Sequence, residues 1–154
     1  MGWWAWPWSA PKRLPAPFGP QAVHPKTGAT VLNLVVVIGT LGKPPQVRSL
    51  PSGFGLASFD LQVARSETAF ELVPVAFFDP SEGVSALEAG EQVLVVGRVR
   101  RRFFRVGGST QSRTEVVAER VVALSRAEEA KAALGHAAQL LGTAMDDAQV
   151  PRPV

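Results

Sequence analysis

Residues 90 to 105 read GEQVLVVGRVRRRFFR, and the way this stretch alternates decides the architecture. In an extended chain successive side chains point to opposite faces, so Arg98, Arg100, Arg102 and Phe104 share one side and Val93, Val95, Gly97 and Val99 the other. The valine side belongs toward a core, which predicts a long strand over 92–104 that is basic on its outer face and ends in an aromatic. The same pattern suits a solvated strand edge that charge keeps from aggregating.

Short strands separated by turns flank this one. Val31–Leu41 is rich in β-branched residues, and Gly39 within it predicts a bend that lets one strand serve two sides of a barrel. In the turn-rich GKPPQVRSLPSG that follows, the prolines exclude a further central strand. Leu56–Ala64 alternates, with Ala57, Phe59, Leu61 and Val63 on its apolar side, and Phe70–Phe78 is a third strand. Asp79, Pro80 and Glu82 predict a capped helix ending at Gly90. A glycine-containing loop over 106–112 leads to a fifth strand, Thr114–Leu124. Five antiparallel strands with one short helix between the third and fourth define an all-β, five-stranded OB-fold barrel, a common platform for oligonucleotides.

Composition is compatible with this. A chain of 154 residues, 46% hydrophobic and 19% charged, suits one globular domain with tails. Net charge is only +3, so local clustering of arginine carries the argument for a polyanionic partner. Without cysteine there is no disulfide framework, thiolate chemistry or cysteine zinc site. The longest apolar run, Leu34–Ile38, is far short of a bilayer span, so no membrane association is expected.

Residues 1–30 hold all four tryptophans, are dense in proline and have no periodicity, as expected of a disordered arm. Pro7 and the lack of early charge fit a signal peptide poorly. The arm is a product of a start placed too far upstream, a docking segment with exposed aromatics, or a strand-stacking arm. The barrel is assigned to 31–125 and a C-terminal tail to 126–154. In the tail Ser125 and Glu128 form a capping box, and Ala127, Ala130, Leu134, Ala137, Leu141 and Met145 make the apolar stripe of an amphipathic helix, suited to packing on its own domain or a sister subunit.

The ordered set NLVVVIGTLGKPPQVRSLPSG, VPVAFFDP, GEQVLVVGRVRRRFFR and QSRTEVVAERVVAL resembles the bacterial single-stranded DNA-binding proteins, particularly their short-looped actinobacterial members, over about residues 31–124. The resemblance implies an oligomer, a dimer or tetramer, that coats single-stranded DNA without sequence preference in replication, recombination, repair or DNA uptake, with a cytoplasmic, nucleoid-associated location. It places base-stacking aromatics at Phe77 and Phe104 and basic DNA-facing residues at Arg48, Arg100 and Arg102. Arg98 and Arg113 extend the basic set, and Phe54 sits in a loop from which stacking is feasible. Since Phe77 and Phe78, and Phe103 and Phe104, are adjacent, one of each pair is expected in the core, and parity favours Phe104 outward.

The chain also departs from that family. RSETA is much shorter than the usual basic loop and lacks its stacking tryptophan, and a second tryptophan position holds Glu71. The C-terminus, MDDAQVPRPV, replaces an acidic, hydrophobic tip that recruits replication and repair proteins. These departures motivate an alternative, a related module that binds a protein partner. Enzyme chemistry finds little support: His24 and His136 lack partners at workable spacing, no GxxxxGK[ST] occurs, and Gly107 and Gly108 suit a turn. Glu115 and Glu119 are expected on one exposed face, paired with arginines. No cofactor is expected.

Overall fold

The computed structural model describes residues 31–149. The N-terminal arm and the last five residues lie outside the described part. Six strands and two helices follow in order: β1 (Val35–Leu41), β2 (Gln46–Ser49), β3 (Gly55–Ala64), β4 (Phe70–Phe78), α1 (Glu82–Ser85), β5 (Gln92–Val106), β6 (Ser109–Ala123) and α2 (Ala127–Gln149).

Neighbouring strands run β1-β5-β6-β4-β3-β2, and β1 also pairs with β3 through Thr40↔Gln62 and Leu41↔Leu61. Five strands therefore close a ring, β1-β5-β6-β4-β3 and back to β1. The bend that closes it falls at Gly39, where a Cβ would lie 2.6 Å from the Gln62 carbonyl oxygen and 2.7 Å from Leu61 Cγ. Two expectations change. A sixth, four-residue strand forms at β2, where Pro44 and Pro45 precede it and, among the described residues, β3 is its only partner, an edge position in which nearby proline is tolerated. The β4–β6 pair is parallel, with Val75↔Val116 and Phe77↔Ala118 in register, so the ring is not wholly antiparallel.

The interior is filled by Leu41, Ala57, Phe59, Leu61, Val75, Val93, Val95, Val116, Ala118, Val121 and Ala123, joined by Val84 and Leu87 from the segment between β4 and β5. The helix expected over 79–90 shrinks to the single turn α1. Its N-cap is Ser81, which makes no side-chain capping bond. Asp79 instead takes a left-handed conformation (φ 53°), which an Asp tolerates, and its N–H donates to the Gly55 carbonyl at 2.8 Å, so the residue ends β4 rather than capping a helix.

A second apolar layer lies outside the ring. Leu94 and Val96 of β5 pack against Ala130, Ala133 and Ala137 of α2, so the centre of β5 is buried on both faces. Ala144 is also buried, whereas Leu134, Leu141 and Met145 of the expected stripe stay exposed. Alanine rather than leucine faces the sheet, since short side chains let helix and strand approach closely. The first helical bond runs from Ala130 N–H to the Arg126 carbonyl (3.0 Å), and the Ser125–Glu128 capping box does not form.

Beyond this region β5 and β6 continue as a two-stranded ribbon. The expected seven-residue loop contracts to Gly107–Gly108, both with positive φ (55° and 83°) as a tight hairpin turn requires. A bulge marks the ribbon's base: pairing changes from Val96↔Arg120 to Gly97↔Ala118, leaving Glu119 unpaired. Gly97 is needed there because any Cβ would collide with the Val117 carbonyl and lie 2.8 Å from Ala118 Cα. Val99, expected in the core, is 45% exposed, since β1 pairs with β5 only as far as Val35↔Gly97. Its backbone is held by Asn33, whose Nδ2 donates to the Val99 carbonyl and whose Oδ1 accepts from the Val99 N–H, each at 2.9 Å.

Candidate nucleic-acid interface

The strand registers define an outer surface opposite the packed interior. Residues directly opposite each other in neighbouring strands share a face. One row runs Gln46, Ser58, Ala76, Val117, Arg98, and another Arg48, Leu56, Phe78. Arg100 pairs with Glu115, Arg102 with Arg113 and Phe104 with Gln111 on the same side. Ala76 and Val117 form its buried floor.

The structure thus brings together Arg48, Arg98, Arg100, Arg102, Phe104 and Arg113 of the expected set. Phe54 is exposed but sits in the turn between β2 and β3, outside these rows. Phe77 is on the other side of β4: it pairs with Ala57 and Ala118, is half-buried and packs on the interior cluster. The outward aromatic of that pair is Phe78, 38% exposed, and the Arg100 guanidinium lies over its ring at 5.5 Å. Sequence reasoning missed Phe78, although counting alternation outward from Phe59↔Val75 places residue 78 outside. In the second pair Phe104 is on the arginine side as parity predicts, but Phe103 is not in the core; it is 56% exposed on the ribbon's other face.

Electrostatically the arginines divide into two kinds. Glu115, 6% exposed, accepts from Arg100 Nη2 through Oε1 at 2.6 Å and from Arg102 Nη2 through Oε2 at 3.4 Å. The expectation of an exposed pairing fails here, and Glu119 does not share the role because it sits at the bulge. Arg113 reaches Asp60 at 3.4 Å in a pair that is half exposed. Arg98 is exposed and, among the described residues, makes no ion pair. The buried carboxylate ties down two guanidinium groups that are each about a third exposed, while Arg98 adds an uncompensated charge. The surface can therefore hold phosphates and offer π faces to bases. Among the described residues no cluster of His, Cys, Asp or Glu is suited to a metal, and no helix is long and apolar enough to cross a membrane.

A closed ring with an aromatic and basic outer face belongs to a class of oligonucleotide-binding barrels, and comparison with known proteins narrows the class. Residues 32–124 match the profile of the Single-strand binding protein family. The Listeria monocytogenes protein named Single-stranded DNA-binding protein 2 is 36% identical over 100 residues, covering 59% of this chain and 62% of that one. The Deinococcus radiodurans Single-stranded DNA-binding protein is 29% identical over 105 residues, covering 62% of this chain and 35% of its own. Among solved structures, the wild-type single-stranded DNA binding protein of Thermus aquaticus aligns over 60% of this chain and 40% of that one, at 26% identity and a TM-score of 0.50. The chain belongs to the single-strand binding protein family, and its ring is an OB-fold. It spans about three fifths of the Listeria relative and about a third of the Deinococcus one.

Proposed function

We propose that this protein binds single-stranded DNA without sequence preference, as a homo-oligomer and without catalysis, coating the strand in replication, recombination, repair or DNA uptake in the bacterial cytoplasm. The observation that carries it is the outer face itself, where Phe78 and Phe104 stand among Arg48, Arg98, Arg100, Arg102 and Arg113 on neighbouring strands of one sheet. A sequence-tolerant binder needs this combination, because every base has a π face and every nucleotide a phosphate. Arg100 and Arg102, aligned by Glu115, and the unpaired Arg98 neutralise phosphates; Phe78 and Phe104 stack bases. Self-association is supported by β1, whose Val36 and Ile38 are exposed and whose edge away from β5 pairs, among the described residues, only at Thr40 and Leu41. Recruitment of replication or repair proteins belongs to the same reading.

The test is fluorescence anisotropy of labelled oligo-dT with the full chain at several salt concentrations. Each neutralised phosphate contributes about −0.7 to the slope of log K against log salt. A steep fall, with duplex competing poorly, is expected. Absence of binding at low salt by folded protein overturns the proposal and turns attention to a protein partner.

A further inference from the structure

The β5–β6 ribbon has two faces, and only one belongs to the surface described above. On the other, Val99, Arg101, Phe103 and Arg105 of β5 stand opposite Val116, Thr114, Ser112 and Thr110 of β6. The Arg101 guanidinium lies over the Phe103 ring at 5.2 Å and donates to Ser112 Oγ from Nε at 3.1 Å and from Nη2 at 2.8 Å. Arg101 is thus held in place by an aromatic ring and a hydroxyl, with no carboxylate. Neither it nor Arg105 makes an ion pair among the described residues. The contrast with Arg100 and Arg102 is sharp, because there one buried glutamate takes up part of the charge.

We propose that this second ribbon face is a further contact surface for the same single strand, with Phe103 stacking a base and Arg101 and Arg105 holding the adjoining phosphates. It rests on the function proposed above and extends it. Charge selects the occupant: the paired residues of this face include two uncompensated arginines, three hydroxyls and no carboxylate, which suits a polyanion. A second copy docking by the same face would set Arg101 and Arg105 against their own counterparts, a like-charge contact that disfavours association. Access is direct. Pairing of β5 with β1 ends at Val35↔Gly97, so among the described residues the edge of β5 beyond the Asn33 contact is open, and a strand leaving Phe104 crosses that edge to reach Phe103, its neighbour in the chain. One protomer then occludes more nucleotides than its barrel face alone covers.

The experiment compares the full-length protein with its Phe103→Ala, Arg101→Gln and Phe104→Ala variants on labelled oligo-dT of about 8 and about 30 nucleotides, the first within and the second beyond the span of one OB-fold. Phe103→Ala and Arg101→Gln are expected to weaken binding to the longer oligonucleotide by about five-fold or more and to lower the nucleotides occluded per protomer, with a much smaller effect on the shorter one. Phe104→Ala is expected to weaken both. All three side chains lie on the surface ribbon, and a melting temperature near that of the parent checks the fold. Phe103→Ala and Arg101→Gln binding both lengths like the parent overturns the second face while leaving the proposed function standing. A changed molecular mass for Phe103→Ala in sedimentation, at unchanged affinity, overturns it in favour of a contact between copies. Failure of the parent protein to bind either length overturns the proposed function and this surface with it.

Discussion

Phe77 and Phe78 are chemically identical neighbours with opposite placements, because the strand turns one toward Ala57 and Ala118 and the other toward Arg100. Phe78→Ala is expected to weaken single-strand binding by about 1–3 kcal/mol and to leave the melting temperature nearly unchanged, as anisotropy and a thermal melt would report. Phe77→Ala should do the reverse, lowering the melting temperature with binding retained once the protein is folded. The assignment was within reach of alternation, but it depends on a register that a single sequence does not supply. Glu115 was visible as a partner for arginines; its burial was not, because it depends on β4, nearly forty residues away in the chain, pairing alongside at Val75↔Val116 and on Arg100 and Arg102 closing over the carboxylate. Glu115→Ala leaves the donors of Arg100 and Arg102 without their shared acceptor, and a loss of about 1–3 kcal/mol in denaturant-measured stability is expected.

At the scale of elements, β5 was legible as a long basic strand, since the apolar run Val93–Gly97 leads into an arginine cluster. What local pattern did not reveal is that its middle is buried on both sides and its end on neither. The first depends on α2 and the second on the bulge at Glu119 and the length of the hairpin, all non-local. The same limit explains α2: helical periodicity located it with a stripe that mixes alanines with Leu134, Leu141 and Met145, whereas close approach to Leu94 and Val96 selects alanines alone. Ala133, fully buried there, is the sensitive position. Ala133→Leu is expected to cost about 1–3 kcal/mol by forcing the helix off the sheet, and urea unfolding measures it. Leu134→Ala, at an exposed site one residue on, should change stability by less than about 0.5 kcal/mol.

At the scale of the whole molecule, the five-strand ring with its intervening helix turn was foreseeable from strand count and turn chemistry, while the sixth strand and the parallel β4–β6 pair were not, because both are set by which strands meet. The boundary drawn at residue 125 separates α2 from the strand it covers. A fragment cut there uncovers Leu94 and Val96, both fully buried under α2, and it is expected to melt lower than the full chain and to self-associate, which calorimetry and sedimentation would register. At the other end, the Asn33 side chain supplies Val99 with both hydrogen bonds that a neighbouring strand would otherwise provide. Two residues outside any strand, an amide thus acts as a one-residue splint at the root of the hairpin. The Val99 backbone proton should therefore exchange with solvent far more slowly than its neighbours along the open edge, and Asn33→Ala, alone among changes at that end, would let the whole arm swing from its base.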